Sequence, residues 1–359
     1  MSETMNRRTD FNRSETTQVS TVNELNLLKV IKRTTTCIFA MVLMALNTSV
    51  AGAKETTAHT LDDVPGKISS PRGRADFLSQ MAGEPSTEDG LGTHLPAEIP
   101  AVALLSTLAP GVSQDKVALL GSRKLREPGA HYVAIACLVT DSRDRKEIRE
   151  YYEGQPGCSP FITRLSKRPL RIILAVIDRT SAGSLSVMAR IEWMSDKPGP
   201  LDSHWTHSAV EPPSDAEDFR TNQLSHILPP EEITRFDLAR YEVISKSTAI
   251  GLRSIYREPY PGGGGNWEIL TLFLREGNRL VPILTEPLYH FAMYGGDWNP
   301  DGTREHPIVE ESAVVRVLKS TTAGYHDLEI TRPKPRWRKR MVWTPECTCY
   351  QRRPELSDK

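Results

Sequence analysis

The chain has no long apolar run, no net charge and little cysteine, and each lack removes a class of protein. Its longest apolar stretch, Cys37 to Leu46, is about ten residues, half of what a helix needs to cross a bilayer. The 45 Lys/Arg balance 45 Asp/Glu, so nothing in the overall charge calls for a nucleic-acid partner. No H-E-x-x-H, no G-x-S-x-G and no glycine-rich loop ending in Lys-Ser/Thr is present, which removes the commonest zinc-protease, serine-hydrolase and nucleotide-binding signatures. No fixed-period repeat is present either.

What is there begins with an export pattern. Lys29, Lys32 and Arg33 precede the short apolar run, and Ala51-Gly52-Ala53 follows it as a small-x-small cleavage pattern. That order predicts a secretory signal peptide over residues 1–53, with an unusually extended basic region, and no membrane anchor after cleavage. The leader holds six Lys/Arg and four Asp/Glu, so the remainder is acidic by two charges. The expected compartment is the periplasm or the cell exterior, where disulfides persist. Four cysteines survive cleavage: Cys137, Cys158, Cys347 and Cys349. Cys137 lies in a strand-like run and Cys158 in a Gly/Pro turn, and these two are expected to pair. The C-x-C at Cys347 and Cys349 is open to three readings: a short disulfide, a redox pair or half a metal site.

Hydrophobic periodicity divides the rest. Residues 54–98 are polar and rich in Thr, Ser, Gly and Pro, and read as a flexible leading segment. Residues 99–194 form a mixed β/α region: a short helix over 99–109, a strand at 117–121, YVAIACLV at 132–139 as a firm strand, a solvent-facing helix over 141–153, and RIILAVID with LSVMARIEW as a hairpin. Residues 195–229 are Pro-rich and read as a linker or long loop. Pro230-Glu231-Glu232 suits the first turn of a helix running through Phe236 to about Leu238. The remainder of 230–359 is a series of alternating apolar runs joined by short turns. The fold class that follows is mainly β: an antiparallel meander forming a sandwich, an open barrel or an irregular propeller-like domain, with a few short helices.

One stretch points to chemistry. GGDWNPDGTRE, residues 295–305, places Asp297, Asn299 and Asp301 at alternate positions, then Gly302, Thr303 and Glu305. Alternate oxygens on a curled loop can converge on a calcium ion, with a Thr303 carbonyl and Glu305 completing the set. An EF-hand would need a bidentate Glu at its twelfth position, which is Ile308 here. The D-x-[DN]-x-D-G core resembles the calcium loop of FG-GAP-like extracellular β repeats. That resemblance, over about eleven residues, implies a structural calcium and an adhesion-like module. Asn-Pro-Asp-Gly is equally well suited to a plain tight turn.

Other candidates are weaker. His204 and His207 sit three apart among prolines. His290 and His306 bracket the acidic stretch, and Gly262–Gly265 reads as a hairpin tip. RPKPRWRKR, 332–340, reads as a solvated strand or a patch for an anionic envelope surface. The aromatic-rich C-terminal half reads as core anchors. The function expected is that of an exported structural or binding protein of the cell envelope, with another envelope protein or that surface as partner. The rival expectation is an envelope hydrolase using Asp297, Glu305 and His306. N-terminal sequencing of the protein from its native envelope is predicted to start at Lys54; an intact Met1 or Met5 on exported protein would overturn the cleavage assignment.

Overall fold

Valine, isoleucine and alanine run almost unbroken through two neighbouring segments, and such runs form strands that are covered on both faces. In the computed structural model they are β3 (His131–Leu138) and β4 (Arg171–Arg179), paired antiparallel with Ile135 opposite Leu174. The residues described are 55–82, 89–127, 129, 131–160, 168–201, 230–260, 262–332 and 337–353, all within one unit, Gly52–Lys359. Val133, Ile135 and Cys137 face one core, while Tyr132, Ala134 and Ala136 face another under helix α3 (Ala101–Leu108). β2 (Val117–Lys124) and β5 (Leu185–Met194) flank this pair.

The sheet continues through four long strands: β6 (Glu232–Ile244), β7 (Ser247–Tyr260), β8 (Gly263–Glu276) and β9 (Arg279–Met293). Strand order along the main path is β2-β3-β4-β5-β9-β8-β7-β6. The two halves meet where β5 and β9 touch in parallel at Arg190 and Arg279, with the Arg190 N–H donating to Asn278 O. The sheet curls into an open half-barrel. Its inner core draws Leu119, Ile135, Leu174, Phe236, Leu252 and Phe273 from before and after residues 195–229. Residues 202–229, with His204 and His207, and the leader 1–53 lie outside the described residues.

The two edges of this curled sheet are bridged by one short segment. The Phe236 N–H on β6 donates to Gly90 O at 3.0 Å, and the Ser122 N–H on β2 donates to Gly92 O at 3.0 Å. No side chain fits there: a Cβ on Gly90 would stand 2.4 Å from Thr234 O, and one on Gly92 2.2 Å from Ser122 O. Helix α4 (Ser142–Tyr151), capped by Asp141, buries Ile148 in the same core. After α4 the Cys137–Cys158 disulfide ties the returning chain to β3.

A second sheet of four strands, β11 (Val314–Thr322), β12 (Tyr325–Arg332), β13 (Trp337–Thr344) and β14 (Cys349–Arg352), shares a core with β6, β8 and β9. Leu328, Ile330, Met341 and Trp343 meet Leu270, Leu272 and Leu284 there. β1 (Glu55–Ala58) pairs with β10 (His306–Ser312), which pairs with the end of β9.

Three expectations change. Residues 232–238 are strand, not helix: Ile233 and Phe236 are needed inside, and Glu231 and Glu232 neutralise Arg257, with Arg257 Nη2 2.8 Å from Glu232 Oε2. The described residues of 54–98, expected to be loosely held, include β1 and helices α1 (Val64–Lys67) and α2 (Pro71–Ala82), and Val64, Ile68 and Phe77 pack on Phe291 and Ile308. In the basic run at 332–340, expected to be solvated, Arg332 and Lys339 are turned inward while Arg338 is exposed. Arg332 meets Glu311 at 2.9 Å and Lys339 meets Glu286 at 2.7 Å, all four buried.

The Lys339–Glu286 pair joins the small sheet to the large one. Burial pushes the Glu286 carboxyl above its usual range even beside the ammonium. Removing one member of a buried ion pair costs more than removing both. Glu286→Leu alone is therefore expected to lower unfolding free energy by about 3–5 kcal/mol, and Glu286→Leu with Lys339→Met by far less. Urea unfolding of the two variants is the check; equal losses would show that the pair does not act as a unit.

Candidate functional site

The acidic stretch is a short hairpin. Trp298 bridges to Arg304, the Asn299 N–H donates to Thr303 O at 2.8 Å, and the Gly302 N–H donates to Asn299 O at 3.0 Å. Gly302 has φ +83°, the left-handed position that a glycine fills at low cost. The side chains brace the same turn. Asp301 Oδ1 accepts from the Thr303 N–H at 2.9 Å and from Thr303 Oγ1 at 2.7 Å, which holds its carboxyl below the ordinary range. Asn299 Nδ2 donates to Thr303 Oγ1 and to His59 O. Glu305 reaches toward His59 Nδ1 at 3.8 Å.

The five residues expected to ligate calcium are thus neighbours, and the side chains of three of them, Asn299, Asp301 and Thr303, brace the turn. Among the described residues, no group of three His, Cys, Asp or Glu has metal-holding geometry. A calcium ion at Asp297, Asn299, Asp301, Thr303 and Glu305 would share Asp301 with Thr303, which already donates twice to its Oδ1. Glu305 and His306 are successive residues of an extended segment, so their side chains leave on opposite sides. That separates two of the three groups the hydrolase expectation needs.

The hairpin exposes an aromatic residue. Trp298 is 71 % exposed, and Tyr294 beside the hairpin is also exposed. The Arg304 guanidinium lies 5.6 Å from the Trp298 ring centre, and its Nε donates to Gly296 O. Gly262 and Gly295 make room for that guanidinium: a Cβ on either would stand 2.6 Å or less from its atoms. Of the glycine run, Gly262 lies at the tip of the β7–β8 hairpin and helps to seat Arg304, while Gly263, Gly264 and Gly265 are strand residues paired with Tyr260, Pro259 and Glu258.

A second arrangement went unseen in the sequence. Trp267 on β8, His290 on β9 and Glu311 on β10 are cross-strand partners in one row. The His290 ring stacks on Trp267 with centroids 4.8 Å apart, and Arg332 pairs with Glu311. His290 is buried and neither ring nitrogen has a hydrogen bond among the described residues. Burial, with the Arg332 charge adding to it, lowers its pKa from 6.5 to about 4. The imidazole is a neutral plate in the wall. His290, which brackets the acidic stretch in sequence, belongs to this row in the structure.

A third polar group is structural in the same sense. Arg253 Nε donates to Asp237 Oδ2 at 2.8 Å, and its Nη1 donates to Glu268 Oε1 at 3.0 Å. Burial opposes ionisation of Asp237, but Arg253 outweighs it and holds the carboxyl below its ordinary range. Burial and Asp237 push the Tyr241 hydroxyl up to about 12. The chain matches no protein-family model, no curated protein and no solved structure.

His290 makes stability depend on pH in one direction. Above pH 6.5 the histidine is neutral folded or unfolded, and its contribution is complete. As pH falls from 6.5 to about 4, the unfolded chain takes a proton that the folded one refuses, so stability drops, by about 3 kcal/mol in all. Denaturant unfolding of the natural protein and His290→Leu across pH 7.5 to 4 is the check. The natural protein should show the steeper loss; parallel curves would mean that His290 titrates normally.

Proposed function

We propose that this chain is an exported, β-rich binding protein of the cell envelope, and that the hairpin at 294–306 is its contact surface. The observation that carries this reading is Trp298, 71 % exposed on a turn fixed by its own side chains. An aromatic side chain on a rigid support loses little freedom on binding and is a common anchor of protein interfaces. Tyr294 and the Arg304 guanidinium widen the same surface. The partner is another envelope protein with an apolar recess. Two disulfide pairs, Cys137–Cys158 and Cys347–Cys349, suit an oxidising compartment and support export. A calcium ion at Asp297, Asp301 and Glu305 would act on the same tip, so binding is measured with and without millimolar calcium.

Trp298→Ala is the test. It touches no core cluster, so its melting temperature is expected to match that of the natural protein. Crosslinking in native envelopes is expected to give one partner band, reduced at least tenfold in the variant. An undiminished band would remove the hairpin from the interface. A protein confined to the cytoplasm would overturn the export reading separately.

A further inference from the structure

The two disulfides stand in opposite surroundings. Cys137 and Cys158 are 0 % and 1 % exposed within the inner core. Cys347 is exposed and Cys349 half-buried, at the turn that joins β13 to β14, where Thr344 pairs with Cys349. Pro345, Glu346 and Thr348 around them are exposed as well. We propose that Cys347–Cys349 is a thiol–disulfide exchange site that accepts electrons from dithiols on exposed peptide segments.

Three observations converge. First, the reacting sulfur can be reached, since exchange needs a thiolate to approach along the S–S axis and Cys347 sits at the surface. Second, the ring spans only two positions in sequence, so closing it restrains the unfolded chain far less than the 21-residue separation of Cys137 and Cys158. A role as a stability staple is correspondingly small. Third, the residue inside the ring, Thr348, is β-branched and has φ +50°, a conformation such residues seldom adopt. The turn itself holds it there, with the Thr348 N–H donating to Pro345 O at 3.2 Å, so the two sulfurs stay side by side on a fixed backbone whether the ring is open or closed.

The turn does not need the disulfide to persist. Trp343 stacks on Tyr325 at 3.6 Å and meets Tyr350 edge-on at 5.4 Å, and the Tyr350 hydroxyl donates to His326 O at 2.6 Å. These contacts hold β13 against β14 below the cysteines, so the pair can open and close on a fixed base.

The step balances without a further reactant. A substrate thiolate attacks Cys347 Sγ, and the S–S electron pair leaves on Cys349 Sγ, which takes a proton. The second substrate thiolate then attacks its own sulfur in the mixed disulfide and releases Cys347 as a thiol. The substrate dithiol becomes a disulfide, and the protein disulfide becomes two thiols, one equivalent per chain.

The test uses the processed protein with a synthetic dithiol peptide, and in parallel a glutathione titration quenched by alkylation and read by peptide mass mapping. Cys347 and Cys349 are expected to become alkylated at a thiol concentration at least tenfold below that needed for Cys137 and Cys158. The peptide should gain one disulfide per chain. The Cys347→Ser, Cys349→Ser double variant should keep the natural melting temperature and leave the peptide reduced. Opening of both disulfides at the same concentration, or a peptide that stays dithiol, would overturn the assignment. Mass mapping on the unsubstituted protein decides the matter even if the double variant folds poorly.

Discussion

Closure of the large sheet rests on a place where three glycines bring backbones together. Gly90 and Gly92 lie between the edge strands β6 and β2, and Gly121 on β2 faces Leu91 O, 2.2 Å from where a Cβ would stand. A curled sheet of this length has two rows of unpaired amides, and its inner core stays dry only if the gap between the rows is filled. Here the filler is a segment of a few residues, with Leu91 as its apolar plug. Asp89 holds that segment in shape by accepting from the Thr93 N–H at 2.6 Å, Thr93 Oγ1 at 3.0 Å and the His94 N–H at 2.9 Å. Arg123 on β2 donates to Asp89 O from outside. Burial works against the Asp89 charge, but these bonds keep its carboxyl below the usual range.

This closure was not legible in the sequence, because the stretch around residue 90 is short, polar and without periodicity. It earns its place by what it lacks, a Cβ, and by a distant partner on each side. The strands were legible where both faces are apolar, as in β3 and β4, or where turns are sharp, as between β8 and β9. The Cys137–Cys158 pair was legible from the export pattern and from the modest separation of two cysteines, one in a strand-like run and one in a Gly/Pro turn. β6 was misread because Pro-Glu-Glu is a good helix start in isolation. Its acids are claimed by Arg257 on the neighbouring strand, and its apolar residues by the inner core. Tertiary demand outweighs a local preference of a few tenths of a kcal/mol.

The basic run from Arg332 shows the same limit in another form. A strand with Arg, Lys and Arg reads as solvent-facing because charges are rarely buried unpaired. The acids that neutralise it, Glu286 and Glu311, stand on strands β9 and β10 and look equally surface-bound in sequence. Only the packing of one sheet on the other brings the two sets together. Such pairs add little net stability over apolar contacts of the same volume. They do penalise alternatives: a shifted register of β12 or β13 would strand four charges in an apolar interior. On that reasoning they select the alignment of the small sheet, and Leu328, Ile330 and Met341 supply the adhesion.

Polar groups of the interior are therefore largely engaged in structure, and reactivity has to be sought where the fold releases a side chain. Two hairpin tips do so. At one, Asp301, Asn299 and Thr303 satisfy each other and leave Trp298 outside; at the other, the Tyr325–Trp343–Tyr350 stack anchors a turn that carries a disulfide to the surface. Both use one device, a local network that keeps a turn in shape without help from the group it presents. That independence allows a tryptophan to meet a partner, or a disulfide to open, without loosening the sheets beneath. The inner wall has no such freedom. His290 is fixed between Trp267 and a buried ion pair, and protonating it sets its charge against Arg332 in a site that water does not screen.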